Sequence, residues 1–331
     1  MRKTLPEDTW QNLFYPPPAY KFFEGAEIAP FEPGIAGFSW KNAWWLAEMS
    51  LLAYVQDWEH IVEPALRAAG FDRRQQIGLK PEISSKGFLA SRSGPDPFAV
   101  VAFRGTDRDD SRTALTDART WPKASPSGEY ILHGGFSDAF EQVWKPEIEP
   151  WLNEFRAQHP AAPVYFTGHS LGAALAIIGM ARFTSGNSAS YNFGCPRAGD
   201  ERFAAVVLSH GPVFRFVNSQ DIVTQIPLEI LGQTYFRHVG IEKYIDRHGN
   251  IREGVSTADR LSDVLPGIAE HAGQMGLDAL KELRHPGTLL EHMKSRLPKH
   301  FTDAPPGRPP FLVGNHSPAR YPVHIWNFYS K

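Results

Sequence analysis

The stretch FTGHSLGAALA, residues 166–176, holds Gly168-His169-Ser170-Leu171-Gly172, a G-x-S-x-G pentapeptide. Such a pentapeptide arises by chance in roughly one chain in seven of this Gly and Ser content, so its surroundings decide what it means. Before it lies a short apolar, β-rich run, Val164 to Thr167, and after it Leu171 to Phe183 (LGAALAIIGMARF) has the length and composition of a helix. Strand, sharp turn and helix in that order put a serine at the tip of the turn. Glycines on either side let strand and helix approach closely, and the helix N-terminus directs free N–H groups toward developing negative charge. Ser170 is therefore a candidate nucleophile, although the same residues also suit a plain Gly-Ser turn.

Outward from this turn, strand signals alternate with helix signals. FAVVAF (98 to 103) is a β-rich run ending in Arg104-Gly105-Thr106, while Ser190 to Phe193 and Val213 to Val217 read as two further buried strands. Thr234 to Ile251 reads as a hairpin turning at His248-Gly249-Asn250. Trp45, Met49 and Leu52 repeat at helical spacing within Asn42 to Val55, and Phe136 to Phe155 is a longer amphipathic helix that Pro146 and Pro150 should interrupt. The alternation predicts an α/β fold with a mostly parallel central sheet and helices on both faces. Residues 1–40, with Pro16, Pro17 and Pro18, read as an extended arm over the body. Residues 256–300 turn helical, with Leu261, Leu265, Ile268, Leu277 and Leu280. Strand-like material and a needed histidine follow that stretch, so it is expected to be an insertion within one domain spanning 1–331.

Composition narrows the functions. With 331 residues, 42% hydrophobic and 21% charged, the chain reads as an ordinary globular protein. Its 34 Lys and Arg against 36 Asp and Glu leave no positive field for a polyanion, which argues against nucleic acid as a partner. One cysteine, Cys195, forms neither an internal disulfide nor a Cys-rich zinc site, and no metal is expected. Met1 to Pro18 meets Pro6, Glu7 and Asp8 where a secretory signal needs an apolar run, so no signal peptide is read and a cytoplasmic address or a signal-less export route is expected. No window has the roughly 18 apolar residues of a transmembrane helix, while peripheral contact with lipid surfaces stays open.

A nucleophilic serine needs a base to take its proton and an acid to orient that base. For a serine on such a turn the chain order is serine, acid, histidine. The strand 213 to 217 runs into Asn218-Ser219-Gln220-Asp221, placing a carboxylate just past a strand's C-terminal end, where ligands of parallel sheets bind. Asp221 is the candidate acid, with Asp200 as its rival. The oxyanion hole needs two donors: the backbone after the serine, at Leu171, and the loop after an earlier strand, where Thr106 offers both N–H and hydroxyl. Among histidines beyond Asp221, His238 and His248 fall in the hairpin, and His271, His285 and His292 on helices. His300, His316 and His324 stay open on this reading. His169 and His133 are expected to be structural neighbours of the site.

Together these residues resemble the class 3 lipases, the fungal-type lipase branch of the alpha/beta hydrolases. The resemblance rests on VVAFRGT (100 to 106), HGGF (133 to 136), FTGHSLGAALA (166 to 176), YNFGCPRAGD (191 to 200), RFVNSQDIVTQIP (215 to 227) and NHSPARY (315 to 321). The segment NAWWLAEMSLLAY (42 to 54) is similar to the family's first helix. The resemblance implies a serine esterase acting on lipid esters, and no cofactor is expected; a small ester is the alternative substrate. Ser170 is then the nucleophile, Asp221 the acid, Thr106 and Leu171 the oxyanion hole, and His316, in NHSPARY, the histidine.

One stretch departs from the family. After Thr106 the chain reads DRDDSRTALTDARTW, with charges where lipases of oil surfaces place an amphipathic lid helix bearing large apolar residues, and with Leu115 and Trp121 as its only large apolar residues. Moving those charges toward lipid is unfavourable, so weak activation at interfaces is expected. A phospholipase A1 or a broad soluble carboxylesterase are alternatives, as is a non-catalytic lipid-binding protein on the same fold.

Overall fold

The computed structural model describes residues 2–331 except 8, 10–11, 13–14, 35–36, 107–120, 185–186, 220, 228–229, 232–233, 261 and 264–313. Eight strands make one sheet: β1 (Arg73–Ile77), β2 (Gly87–Arg92), β3 (Phe98–Phe103), β6 (Val164–His169), β7 (Ser188–Phe193), β8 (Val213–Asn218), β11 (Ile241–Ile245) and β12 (Ile251–Arg252), in that spatial order. From β3 to β11 every neighbouring pair is parallel, and antiparallel strands flank that block on both sides. Two small two-stranded ribbons, β4 (Pro122–Ala124) with β5 (Ile131–His133) and β9 (Ile230–Leu231) with β10 (Thr234–Tyr235), lie outside it. The mostly parallel α/β fold expected from the alternation is what forms.

Strand periodicity divides the core. In β3, Ala99, Val101 and Phe103 pack into one buried cluster and Phe98, Val100 and Ala102 into another, as alternation across a pleated strand requires. The first cluster takes in helices Gly134–Val143, Glu149–Gln158, Leu171–Arg182 and Glu201–His210. The second takes in Trp40–Leu52 and the C-terminal helix Arg320–Tyr329. Both faces are covered, which is why the parallel strands carry unbroken apolar runs.

The helix Trp40–Leu52 begins at Ser39, whose hydroxyl accepts from the Asn42 N–H at 3.2 Å. It is buried on all sides because the sheet lies beneath it and the arm and C-terminal helix above. Phe23 lies 4.9 Å from Trp45, Trp44 lies 4.7 Å from Trp326, and Phe31 reaches past them to stack on Phe98 at 4.4 Å. Each buried Phe of the arm stabilises that docking by about 1.5–3 kcal/mol.

Two expectations about elements change, and a third, the break within 136–155, is met. The segment after residue 314 is helical, not strand-like: Tyr321, Ile325 and Trp326 recur on one face and bury it against the first helix. The hairpin is shorter than 234 to 251, because Thr234–Tyr235 pairs back with Ile230–Leu231 and only β11 and β12 flank the turn at His248-Gly249-Asn250. Between Phe136 and Phe155, a π-helical turn at Trp144–Ile148 divides two helices around Pro146, with Pro150 in the first turn of the second, where no N–H is needed. Most of the 256–300 stretch lies outside the described residues, as do His300 and the charged run 107–120.

Candidate active site

Parallel register brings the candidate residues to one end of the sheet. Phe103 pairs with Gly168, so the Arg104-Gly105-Thr106 turn leaves β3 beside the turn that leaves β6. The Ser170 N–H bonds the Phe193 carbonyl at 3.0 Å, and the Gly194 N–H bonds that of Phe216 at 3.0 Å, carrying the alignment across β7 to β8. Thr106, Ser170 and Asp221 therefore stand past the C-terminal ends of neighbouring parallel strands, where such sheets bind ligands.

Ser170 has φ 60° and ψ −128°, a region rarely open to a side chain and one that stores strain. Two glycines make the turn feasible. A Cβ on Gly168 would meet the Gly172 carbonyl at 2.3 Å, and one on Gly172 would meet the Phe103 carbonyl oxygen at 2.3 Å. Helix Leu171–Arg182 starts immediately, so its first N–H groups, Leu171 included, have no intrahelical acceptor. Gly105 is pressed against the same turn: a Cβ there would lie 2.6 Å from the His169 carbonyl oxygen and 3.0 Å from the Ser170 Cβ. Thr106, half-buried, is the next residue.

Asp221 and His316, 95 residues apart, are brought together. Nδ1 of His316 lies 2.7 Å from Oδ2 of Asp221, and since a carboxylate only accepts, the imidazole donates. The Tyr321 hydroxyl donates to the same oxygen at 2.9 Å, while Oδ1 accepts from the Val223 N–H at 3.0 Å. The Asp221 side chain is fully buried, whereas His316 keeps 11% of its side chain exposed. Gly194 is needed beside them, because a Cβ there would come within 2.6 Å of Asp221 Oδ2 and 3.0 Å of the His316 ring. The Asn218 amide holds the Asn315 carbonyl at 2.9 Å and so fixes the chain just before the histidine.

The other candidates have separate places. Asp200 caps helix Glu201–His210, accepting from the Phe203 N–H at 2.8 Å. His324 lies in the C-terminal helix against Gly249, and burial lowers its pKa to about 4. His238 Nε2 meets the Thr224 carbonyl at 2.8 Å. His133 caps helix Gly134–Val143 through the Phe136 N–H at 3.3 Å, and burial lowers its pKa to about 4. His169 is fully buried: its Nδ1 lies 2.7 Å from the Tyr54 hydroxyl and its ring centroid 4.3 Å from that of His316. Burial, then the neighbouring His316, keep His169 well below the ordinary imidazole range. Trp121, at the end of the charged run, lies against Gly134.

Tyr54, Gly194, Asn218 and Tyr321 were not picked out as site residues in the sequence. Each sits inside a quoted motif, and Tyr321, five residues past His316, had the clearest signal. Among the described residues no group of three His, Cys, Asp or Glu side chains is arranged to hold a metal ion.

Residues 100–231 match the family profile described as Lipase (class 3). Over this stretch the chain is similar to the class 3 lipases. Among curated relatives, the Rhizomucor miehei lipase is 32% identical over 181 residues, covering 52% of this chain and 48% of that protein. The secreted mono- and diacylglycerol lipase 1 of Fusarium solani is 26% identical over 157 residues, covering 46% of each. The chain spans about half the length of the curated relatives it matches. A solved Rhizomucor miehei triacylglyceride lipase aligns with a TM-score of 0.53 at 25% identity, over 64% of this chain and 82% of that one. The class 3 lipase relatives also correct one expectation. Those from Fusarium solani and Penicillium cyclopium are secreted lipases, which overturns the cytoplasmic or signal-less reading taken from the first residues. That reading failed because it rested on the start of the chain alone. Among the described residues, no helix is long and apolar enough to cross a membrane.

Proposed function

We propose that the protein is a lipase-type carboxylic ester hydrolase acting on acylglycerols or other lipid esters by acyl-enzyme chemistry. Ser170 attacks the ester carbonyl, and His316 takes the serine proton and delivers it to the leaving alcohol. Asp221 holds the imidazolium, while Thr106 and the Leu171 N–H bind the oxyanion. Water then repeats the sequence on the acyl-enzyme, with His316 again as base, and releases the acid. The reading rests above all on one observation: a buried carboxylate 2.7 Å from a part-exposed imidazole, whose ring lies 4.3 Å from that of His169, the residue before a serine held at φ 60°. Sharing a core with secreted lipases supports a lipid ester as substrate and work outside the cell.

A second observation favours small, dissolved esters within this class. Asp107, Arg108, Asp109, Asp110 and Arg112 follow the oxyanion-hole candidate directly, and charges there oppose entry into an oil surface. The discriminating experiment is a hydrolysis profile over p-nitrophenyl esters of rising chain length, beside emulsified triglyceride and phosphatidylcholine. Turnover of short esters should be appreciable below their solubility limit, with no sharp jump on crossing it. Dominant release from the sn-1 position of phosphatidylcholine would replace the acylglycerol reading with phospholipase A1. No turnover of any ester by folded protein would leave a lipid-binding role.

A further inference from the structure

Beneath the serine lies a buried polar pair that the chemistry above does not use. Tyr54 and His169 are each 1% exposed, and the tyrosine oxygen is 2.7 Å from His169 Nδ1. Burying a hydroxyl and an imidazole costs solvation that a pair of apolar rings would not lose, so their retention there calls for a reason. Their neighbours supply one. Gly105 packs so closely on Tyr54 that a Cβ would lie 2.1 Å from its oxygen, which puts the tyrosine against the turn bearing Thr106. His169 directly precedes Ser170 in the chain. Its ring lies 4.3 Å from His316 at an interplanar angle of 38°, and 5.7 Å from Tyr321, the second donor to Asp221. One pair thus touches the oxyanion-hole turn, the serine's backbone, the base, and the tyrosine that holds the acid.

We propose that Tyr54 and His169 are a positioning pair. The Tyr54 hydroxyl fixes the His169 ring, and that ring is the platform on which the His316 imidazole keeps its alignment between Asp221 and Ser170. Neither residue touches the substrate. An uncharged ring suits the place, because His316 becomes positive when it takes the serine proton and a second cation 4.3 Å away would oppose that step. Burial, which disfavours the charged form of His169, works in the same direction. The inference rests on the proposed roles of Ser170, His316 and Thr106.

The test compares wild-type protein with Tyr54→Phe and His169→Asn. The first deletes one oxygen; the second keeps an acceptor for Tyr54 and removes the ring under His316. Steady-state kinetics on p-nitrophenyl butyrate, fluorophosphonate labelling rates at Ser170 and thermal midpoints are measured together. Tyr54→Phe should lower kcat and labelling about tenfold with KM within about twofold, a loss confined to the chemical step. His169→Asn should lose more, and the double variant should lose less than the product of the two single losses, because the residues act as a unit. Unchanged kcat and labelling in Tyr54→Phe would overturn the proposal, as would losses that only track the thermal midpoint. Should His169→Asn fail to fold, Tyr54→Phe decides alone. Wild-type protein that does not label at Ser170 would overturn the hydrolase reading and the pair with it, whereas labelled wild type with an unaffected Tyr54→Phe would overturn the pair only.

Discussion

Two buried carboxylates, Glu48 within the first helix and Asp221 just past the end of β8, look alike by burial and differ in their partners. Glu48 receives the Tyr20 hydroxyl at 2.8 Å, the Trp44 indole N–H at 3.1 Å, the Phe23 N–H at 3.4 Å and the Lys3 ammonium at 3.4 Å. Lys3 itself sits 4.9 Å from the rings of both Trp44 and Trp326. Asp221 receives an imidazole, a phenol and a backbone N–H. Both are enclosed and hydrogen-bonded, so neither feature marks a working acid. The difference is the partner. Glu48 faces a cation and aromatic rings that tie down the arm. Asp221 faces the part-exposed His316 imidazole, whose ring lies 4.3 Å from that of His169, the residue before the strained Ser170. Burial pushes the Glu48 carboxyl above its ordinary range, which suits a structural anchor and would suit poorly a group that must stay negative to hold an imidazolium.

The comparison breaks most easily at the two acids. Asp221→Asn should keep the fold and lower kcat by about four orders of magnitude, since the amide favours the wrong imidazole tautomer. Glu48→Gln should leave kcat within about twofold and act on stability, read as a shift in thermal midpoint. A large kcat loss in Glu48→Gln with unchanged stability would erase the distinction. A smaller effect sharpens the oxyanion end: Thr106→Val keeps shape and N–H, and should cost roughly a hundredfold in kcat with little change in KM. If kcat stayed within about threefold, the second donor would lie elsewhere.

A subtler contrast sets His316 against His324. Folding lowers the His324 pKa from 6.5 to about 4, through burial first and Arg320 second, with Asp246 opposing. The depressed value means that the unfolded chain binds the proton first. The stability from keeping His324 neutral is therefore complete above about pH 6.5 and lost as pH falls toward 4, by up to about 3 kcal/mol. His324→Gln should flatten the fall in thermal midpoint between pH 7 and pH 4.5. An unchanged fall would remove His324 from the acid sensitivity and leave His133, also lowered to about 4, to account for it.

The elbow was legible in the sequence because its first constraint is local, a Gly168 Cβ meeting the Gly172 carbonyl four residues on at 2.3 Å, whereas Gly172 is forced by the Phe103 carbonyl of a strand far earlier in the chain. The parallel sheet was legible because apolar strand runs alternated with helical ones. The edge strand β1 was not, since Arg73-Arg74-Gln75-Gln76 carries no apolar alternation and pairs only with β2. The helical nature of 320–329 was hidden because its partner, the first helix, lies almost 280 residues earlier in the chain. Nor does a Tyr321-to-Asp221 or Tyr54-to-His169 bond leave a local trace, as the partners are 100 and 115 residues apart. Spacing along the chain narrowed the histidines to three, family resemblance singled out His316, and folding sets that residue against Asp221 and His324 against Gly249.

The measurement closest to the central claim is fluorophosphonate labelling, located by peptide mass, in wild-type protein and in His316→Ala and His324→Ala. Wild type and His324→Ala should label rapidly and only at Ser170, while His316→Ala should label slower by three orders of magnitude or more, because the serine has lost its base. Rapid labelling of His316→Ala with the loss falling instead on His324→Ala, or a label on any residue other than Ser170, would contradict the assignment of the nucleophile and its base.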